Sequence, residues 1–331
     1  MSRFEPGNAE FTDKTMNIAS KFAGHAVRAI RSTAGLDLFQ TWNPQPARTG
    51  KVCLFAHWDP HGIIDDYVLY YLKRINDEGY SIRLASTSSR LDPESVDKAR
   101  KVCDQVIWRR NVGVDFGSWR EAERSSARLA EFDELLLSND SVFGPVHDLR
   151  PILDRMRSEP STIWGLTDNL ENHPHLQSYF LRIPGSTLRS PWFRRFWSRM
   201  TPVAHKWSAI HRYEGGLSRQ AIASGGTIRA AFPVEEVVAL ARSQGEFFQY
   251  YKDLEEGRNI NTTLLAWDLL VGTLNFPLIK TDVFKRDLYR SQALLFWPDV
   301  FPSESKPLVE IIISYLKRAH PDAAALGAIG L

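Results

Sequence analysis

The feature that most limits what this chain can fold into is a repeated alternation of two kinds of segment. Short apolar runs at Val52 to His57, Ile82 to Ser86, Gln105 to Arg109, Glu134 to Ser138 and Thr162 to Leu166 alternate with amphipathic stretches. Those stretches are Asp66 to Asn76, Pro93 to Val102, Trp119 to Glu131 and Val146 to Arg157. Strand-length apolar runs separated by helical ones read as a mostly parallel sheet wound between helices. Asp92 before Pro93 predicts an N-cap with proline at the first helical position, and Ser118 with Glu121 predicts a capping box. The expected class is α/β, a Rossmann-type wound sheet with additional helices at both ends.

The boundaries follow from where the alternation starts and stops. Residues 1–48 read as a helical extension and linker ending in Asn43-Pro44-Gln45-Pro46, residues 49–232 as the sheet-bearing core, and residues 233–331 as a mainly helical part packed on it. Past Glu214 the pattern predicts helices at Leu217 to Ser224, Val234 to Ser243, Ile260 to Thr273 and Pro307 to Ala319. Thr227 to Phe232 reads as extended, and the small-residue tail Ala323 to Leu331 as frayed.

Composition removes several function classes. With 41 Lys plus Arg against 39 Asp plus Glu, the balance gives no support to wholesale nucleic-acid binding, so no nucleic-acid partner is expected. Two cysteines, Cys53 and Cys103, and no signal-peptide pattern make the cytoplasm the expected compartment. The longest apolar stretch, Thr262 to Ile279, is broken by Asp268, Asn275 and Pro277, which argues against a membrane span.

In wound sheets, ligands bind beyond the carboxyl ends of the strands, and here those ends are polar. They read His57-Trp58-Asp59-Pro60-His61-Gly62, Ser86-Thr87-Ser88-Ser89, Asn111 to Ser118, Ser138-Asn139-Asp140-Ser141 and Thr167-Asp168-Asn169. Such a rim suits a nucleotide-sugar site. His57, Asp59, Ser86 and Thr87 would line the nucleotide, with Asn111 and Arg120 near phosphate at a helix start. Asp115 would accept hydrogen bonds from sugar hydroxyls.

Asp140 would hold Mg²⁺ or Mn²⁺, with Asn139 as a neutral neighbour, because a hard cation needs only one or two carboxylates besides phosphate oxygens. Asp168 is the candidate general base for an acceptor hydroxyl. Each has a plainer alternative. Asn139-Asp140 and Thr167-Asp168-Asn169 also read as turns, and Asp115 with Arg120 as a turn former and a surface ion-pair residue. His57 to Gly62 further resembles the first motif of DHH-type metal-dependent phosphoesterases, but the Asp-His-His cluster that family also needs is missing from the sequence.

Two segments carry local positive charge. Residues 14–36 form an amphipathic pattern with Lys14, Lys21, Arg28 and Arg31 and no acidic residue. The stretch from Asn172 to Tyr213 has no Asp or Glu yet holds Arg182, Arg189, Arg194, Arg195, Arg199, Lys206 and Arg212, which over residues 189–212 interleave with Trp192, Phe193, Phe196, Trp197 and Trp207. Either suits an anionic bilayer surface, or else a packed apolar face with a solvated basic side; for Trp192, Phe196 and Trp197 the packed reading is favoured.

Several blocks, in order over about residues 50 to 290, carry a family resemblance. They include Phe55 to Gly62, Asn111-x-Gly113-x-Asp115-Phe116-Gly117-Ser118-Trp119-Arg120, Leu136 to Pro145, Trp164-Gly165-Leu166-Thr167 and His175 to Phe180. Tyr213-Glu214-x-Gly216-Leu217-Ser218, Asn261-Thr262-Thr263 with Trp267, and Phe276 to Lys280 follow. The chain resembles the rhamnan synthesis protein F family of bacterial polysaccharide glycosyltransferases.

That resemblance implies a GT-A-like fold and transfer of a deoxyhexose, by default L-rhamnose from dTDP-rhamnose, to a glycan or lipid-linked oligosaccharide, with inversion expected. It puts Asn139-Asp140 where such folds carry a metal-binding Asp-x-Asp. With one carboxylate replaced by an amide, a divalent cation would bind weakly or be dispensable. It also puts His175 and Gln177 near sugar or acceptor. Arg258 and Asn261 are candidates for acceptor contact, and the rival readings are a phosphoesterase using His57 and Asp59 or a non-catalytic glycan- or membrane-binding module.

Overall fold

The computed structural model describes residues 38–44, 49–124, 128–170, 174–201, 203, 206–243, 261–286 and 292–331. The expected basic helix at residues 14–36 and Arg258 lie outside them.

The five apolar runs are strands: β2 (Lys51–His57), β3 (Ser81–Ser86), β4 (Gln105–Arg109), β5 (Glu134–Asn139) and β7 (Ile163–Asn169). They belong to a larger sheet with β1 (Leu38–Trp42), β9 (Phe180–Pro184) and β10 (Ile228–Phe232) in the order β1-β4-β3-β2-β5-β9-β7-β10. β4, β3, β2 and β5 run parallel. β9 pairs antiparallel with both β5 and β7, so two reversals leave β7 pointing the same way as β5. β10 is parallel to β7, and β6 (Val142–Phe143) pairs with β11 (Ile279–Lys280) in a separate two-stranded sheet. All five expected strands therefore end on one edge.

The chain winds outward from β2 to β4 and then returns to the other side of β2 as β5. That reversal opens a crevice between the ends of β2 and β5, the place where wound sheets bind ligands. Strands buried on both faces explain why β2, β3 and β5 read as continuous apolar runs rather than alternating ones.

Helices cover both faces. α1 (Asp66–Asp77) buries Tyr67, Val68, Tyr71, Leu72 and Ile75, a 3–4 residue spacing that gives one apolar stripe. α2 (Pro93–Ala99) starts as expected, with the Asp92 carboxylate accepting from Ser95 N at 2.8 Å. α3 (Val114–Arg124) does not start at the expected capping box. It begins at Val114, five residues before the expected Trp119, and Ser118 sits inside it, its Oγ donating back to Val114 O at 3.4 Å. Gly113 and Val114 both hold positive φ, 88° and 53°, which turns the chain sharply into the helix. A β-branched residue rarely adopts that conformation, and nothing in a propensity scale signals it.

Of the expected helix to Glu131, the described residues are helical to Arg124 and form a single turn at Leu129–Glu131, residues 125–127 lying outside them. α4 is Arg150–Ser158, later than Val146, with Pro151 in its first turn. β9 was not expected. Its Arg182, counted in sequence among the basic surface residues, is buried and pairs with Glu134 at 2.7 Å.

Further along lie α5 (Pro191–Ser198), α6 (Gly215–Ala223), α7 (Val234–Ser243), α8 (Lys306–Ala319) and α9 (Ala324–Ala328). Within the expected helix Ile260 to Thr273, the described residues form two short helices, Thr262–Leu265 and Trp267–Gly272, broken at Ala266. The tail is not frayed: Leu326 and Ala325 are buried, and Trp297 Nε1 donates to Ala325 O at 3.2 Å. Small apolar residues look unanchored in sequence but pack where a large neighbour waits.

Glu134 anchors a buried charge network, accepting from Arg157, from Arg182 and from the Tyr80 hydroxyl. Burial pushes its carboxyl up, yet these partners outweigh burial and hold it below the usual glutamate range. Stability from this group is therefore present above the unfolded value and lost as pH falls through the folded one. Glu134→Gln should cost about 3 kcal/mol at pH 7, because it strands two guanidinium groups. Urea unfolding should show that deficit shrinking as pH drops below about 4.

Candidate functional site

A cavity of about 240 Å³ opens at the carboxyl edge of the sheet. Asp115 reaches it from the first turn of α3, Asn139 and Ser141 from the end of β5, and Gln177 and Ser178 from the segment after β8 (His175–Leu176). Glu214, Asn261, Lys280 and Asp282 complete its polar wall. Glu214 ends a π-helical turn, Ile210–Glu214. Such turns are rare and often re-aim side chains at functional sites.

These side chains are mutually fixed. Asn139 Nδ2 donates to Asp115 Oδ2 at 2.9 Å, while its Oδ1 accepts from Ser141 N at 3.2 Å and Ser141 Oγ at 2.6 Å. Glu214 accepts from Ser178 N at 2.7 Å and from Ser178 Oγ, and lies 3.4 Å from His175 Nε2. Burial pushes Glu214 up, but His175 and Ser178 prevail and hold it below the ordinary range. Gln177 Oε1 accepts from Thr167 Oγ1 at 2.7 Å, and its Nε2 donates to Asn261 Oδ1 at 3.4 Å. Lys280 Nζ sits 3.8 Å from the Tyr179 ring centroid.

Beside this cavity, Asp140 occupies the crevice between β2 and β5. Its N–H donates to Ala56 O at 3.2 Å, its carbonyl accepts from the Tyr67 hydroxyl at 3.0 Å, and its Oδ2 accepts from Trp58 N at 2.6 Å. Burial, with the Asp115 charge adding to it, pushes the Asp140 carboxyl up to about 7 despite the Trp58 bond.

The other expected residues sit elsewhere. His57 is buried with Nδ1 2.9 Å from Ser86 Oγ, and burial pushes its imidazole down to about 4, so it is neutral at pH 7. Thr87 N donates to His57 O at 2.9 Å. Asp59 accepts from His61 N at 2.8 Å, Ile63 N at 3.1 Å and Arg318 at 2.9 Å, which commits both of its oxygens. Asn111 is exposed on the turn after β4.

Arg120 turns to the carbonyls of Trp197 and Ser198 and lines a different cavity. Asp168 is not on the wall. Its Oδ1 accepts from Val234 N at 2.8 Å, at the start of α7, and burial raises its carboxyl. His175 stands behind Glu214 rather than on the wall.

Sequence reasoning assigned no role to Ser141, Ser178, Glu214, Lys280 or Asp282. All but Asp282 lie within the blocks that carry the family resemblance, and that was the signal available; no spacing rule reaches from β5 to Glu214.

Among the described residues, no three His, Cys, Asp or Glu side chains gather as a metal-holding group. Asn139 spends its amide oxygen on Ser141, so it is not a ready ligand. What fits a cation is narrower. Asp140, forced toward its neutral form by burial and by Asp115, is a carboxylate whose charge a divalent ion would restore.

Fold and cavity together define a wound α/β protein with a polyol-sized, hydrogen-bonding pocket at its strand ends. The rhamnan synthesis protein F profile matches residues 84–253, half of the chain, and the chain belongs to that family. Membership makes it a polysaccharide glycosyltransferase. It is 24% identical over 289 residues to the uncharacterised protein y4gN of Sinorhizobium fredii, covering 75% of this chain and 74% of that one. Among solved structures, the mannosyltransferase PcManGT of Pyrobaculum calidifontis, in complex with GDP-Man and Mn²⁺, aligns over 92% of this chain and 91% of its own. The identity is 11% and the TM-score 0.35.

The raised Asp140 carboxyl has a stability consequence. A carboxyl whose folded value exceeds its unfolded one costs stability progressively as pH climbs from about 4 toward the folded value. Asp140→Asn should therefore melt higher than the native chain at pH 8, with the difference closing by about pH 4 in a thermal-unfolding series.

Proposed function

We propose that this chain transfers a deoxyhexose, by default L-rhamnose from dTDP-rhamnose, to a glycan or lipid-linked oligosaccharide at the inner face of the plasma membrane, with inversion. The observation that carries the reading is the acid-lined cavity beside the β2/β5 crevice. Its wall carries three carboxylates, Asp115, Glu214 and Asp282, against one cation, Lys280. Carboxylates and amides held rigidly by their neighbours suit hydroxyl donors, which is what a sugar presents.

Size supports the same division of labour. At about 240 Å³ the cavity is smaller than ligand pockets of roughly 300–1,000 Å³, enough for a sugar but not for a whole nucleotide sugar. The diphosphate would lie toward Asp140. An acidic neighbourhood repels a diphosphate unless a cation intervenes, so Mg²⁺ or Mn²⁺ held by Asp140 is part of the proposal. When bound, that ion would neutralise charge on the departing nucleoside diphosphate.

Two carboxylates compete for the role of base. Asp168 has the raised carboxyl a base needs, but it stands behind the wall and binds Val234 N. Asp282 is on the wall and half-exposed. Reach precedes pKa in choosing a base, so Asp282 is the better placed. The phosphoesterase reading has lost its residues, since His57 and Asp59 are both committed to internal bonds.

With donor and acceptor supplied, Asp140→Ala should lower transfer by at least about a hundredfold while thermal unfolding stays cooperative; near-native turnover would remove Asp140 from the reaction. Asp282→Asn should lower kcat more than donor affinity and more than Asp168→Asn does. The reverse order would return the base to Asp168.

A further inference from the structure

Tyr315, on α8, gathers charged groups of the C-terminal part beside the β2/β5 crevice. Its ring centroid lies 4.5 Å from that of Tyr67, whose hydroxyl donates to Asp140 O at 3.0 Å. Two cations face the Tyr315 ring, Lys285 Nζ at 5.3 Å from the centroid and the Arg318 guanidinium at 5.5 Å. Its hydroxyl is 3.2 Å from His320 Nε2. The cluster thus adjoins the carboxylate toward which the donor's diphosphate would lie.

The two cations differ in how their charge is met. Arg318 bridges Asp59 and Asp65, both at 2.9 Å, so it is neutralised inside the fold. Lys285 makes no hydrogen bond or ion pair among the described residues. Asp282, one turn earlier on the short helix Thr281–Arg286, pairs instead with Arg286 at 3.6 Å. Asp140 gives its Oδ2 to Trp58 N. Lys285 is half-buried, and burial pushes its ammonium down while the Asp140 charge opposes that shift. A half-buried ammonium without a partner destabilises the fold, and an anionic ligand placed beside it relieves that cost.

The position of Lys285 says which part of the donor it meets. Asp282 stands on the wall of the sugar cavity, and Lys285 follows it by three residues, on the same side of the helix and about 4.5 Å further along its axis. A sugar ring and its attached diphosphate are separated on that scale. We propose that Lys285 binds the diphosphate of the nucleotide donor, adding a positive charge beside Asp140 that a divalent ion supplements and does not replace. The inference rests on the donor reading above and deepens it by naming a residue of the C-terminal part. A compact ammonium with three donors suits phosphate oxygens as a point charge.

The test is isothermal titration of the full chain with dTDP, UDP and GDP, each against its monophosphate, in EDTA and again with Mn²⁺. Native protein is compared with Lys285→Met and Lys285→Gln, which remove the charge at similar length, and with Lys285→Arg, which keeps it. Thermal unfolding of the two neutral variants should stay cooperative, since they remove a charge that has no internal partner. Both should bind the preferred diphosphate at least about tenfold more weakly than the native chain, in EDTA and in Mn²⁺ alike, and its monophosphate less than about threefold more weakly. Lys285→Arg should retain more of that affinity than either. Diphosphate affinity unchanged in the neutral variants would overturn the role of Lys285 and leave the donor reading standing. So would an equal loss for monophosphate and diphosphate, the mark of a merely structural lysine. A native chain that binds none of these nucleotides under either condition would remove the donor reading, and the role of Lys285 with it.

Discussion

The structure depends on how β5 is fastened beside β2. Their parallel register pairs Ala56 with Asn139, and the next residue, Asp140, closes the junction by donating to Ala56 O while taking the Trp58 N–H on its carboxylate. Everything polar at the strand ends is arranged around that junction. Ser138 bonds Tyr71 and Tyr179 and its carbonyl accepts from Trp119 Nε1, so α1, α3 and the β9 approach are tied to the same turn of chain. The C-terminal helix α8 joins in through Arg318, which bridges Asp59 and Asp65 on the loop carrying Trp58. A pocket built this way is held by several elements at once, which is what pre-organisation requires.

The electrostatics then sort the molecule into two regions of opposite character. At the strand ends, carboxylates outnumber cations and burial drives Asp140 toward neutrality, a costly arrangement for a fold to keep without use. Across α3, arginines surround an apolar cleft. One helix thus carries a carboxylate of the strand-end cavity, Asp115, at its first turn and guanidiniums of the cleft, Arg120 and Arg124, toward its last. The near-zero net charge of the sequence hides both, because they cancel in the sum.

Much of the fold was legible because parallel strands buried on both faces announce themselves as apolar runs. Asp92-Pro93 likewise has one physical meaning, and the structure fulfils it. Three features escaped for local reasons. Val114 enters α3 through a left-handed backbone that its side chain disfavours, so the helix start was placed too late. Arg182 looked like surface charge because its partner Glu134 is 48 residues away. The tail looked frayed because Ala325 and Leu326 say nothing of Trp297 until it is beside them.

The site was partly legible. Asp115, Asn139 and Gln177 do meet on one wall, and Asp140 adjoins it. Arg120 and Asp59 went elsewhere because each found an internal partner, Trp197 and Arg318, that no spacing along the sequence predicts. The central claim is that the strand-end cavity receives the sugar of a nucleotide donor with a cation beside it. Its most direct test is a thermal-shift titration of the native chain with dTDP-rhamnose and other nucleotide sugars, with and without Mn²⁺. A saturable rise in melting temperature for one nucleotide sugar, larger with Mn²⁺ and absent for the nucleoside diphosphate's sugar-free monophosphate, is the result predicted. No shift with any nucleotide sugar under either condition would contradict it.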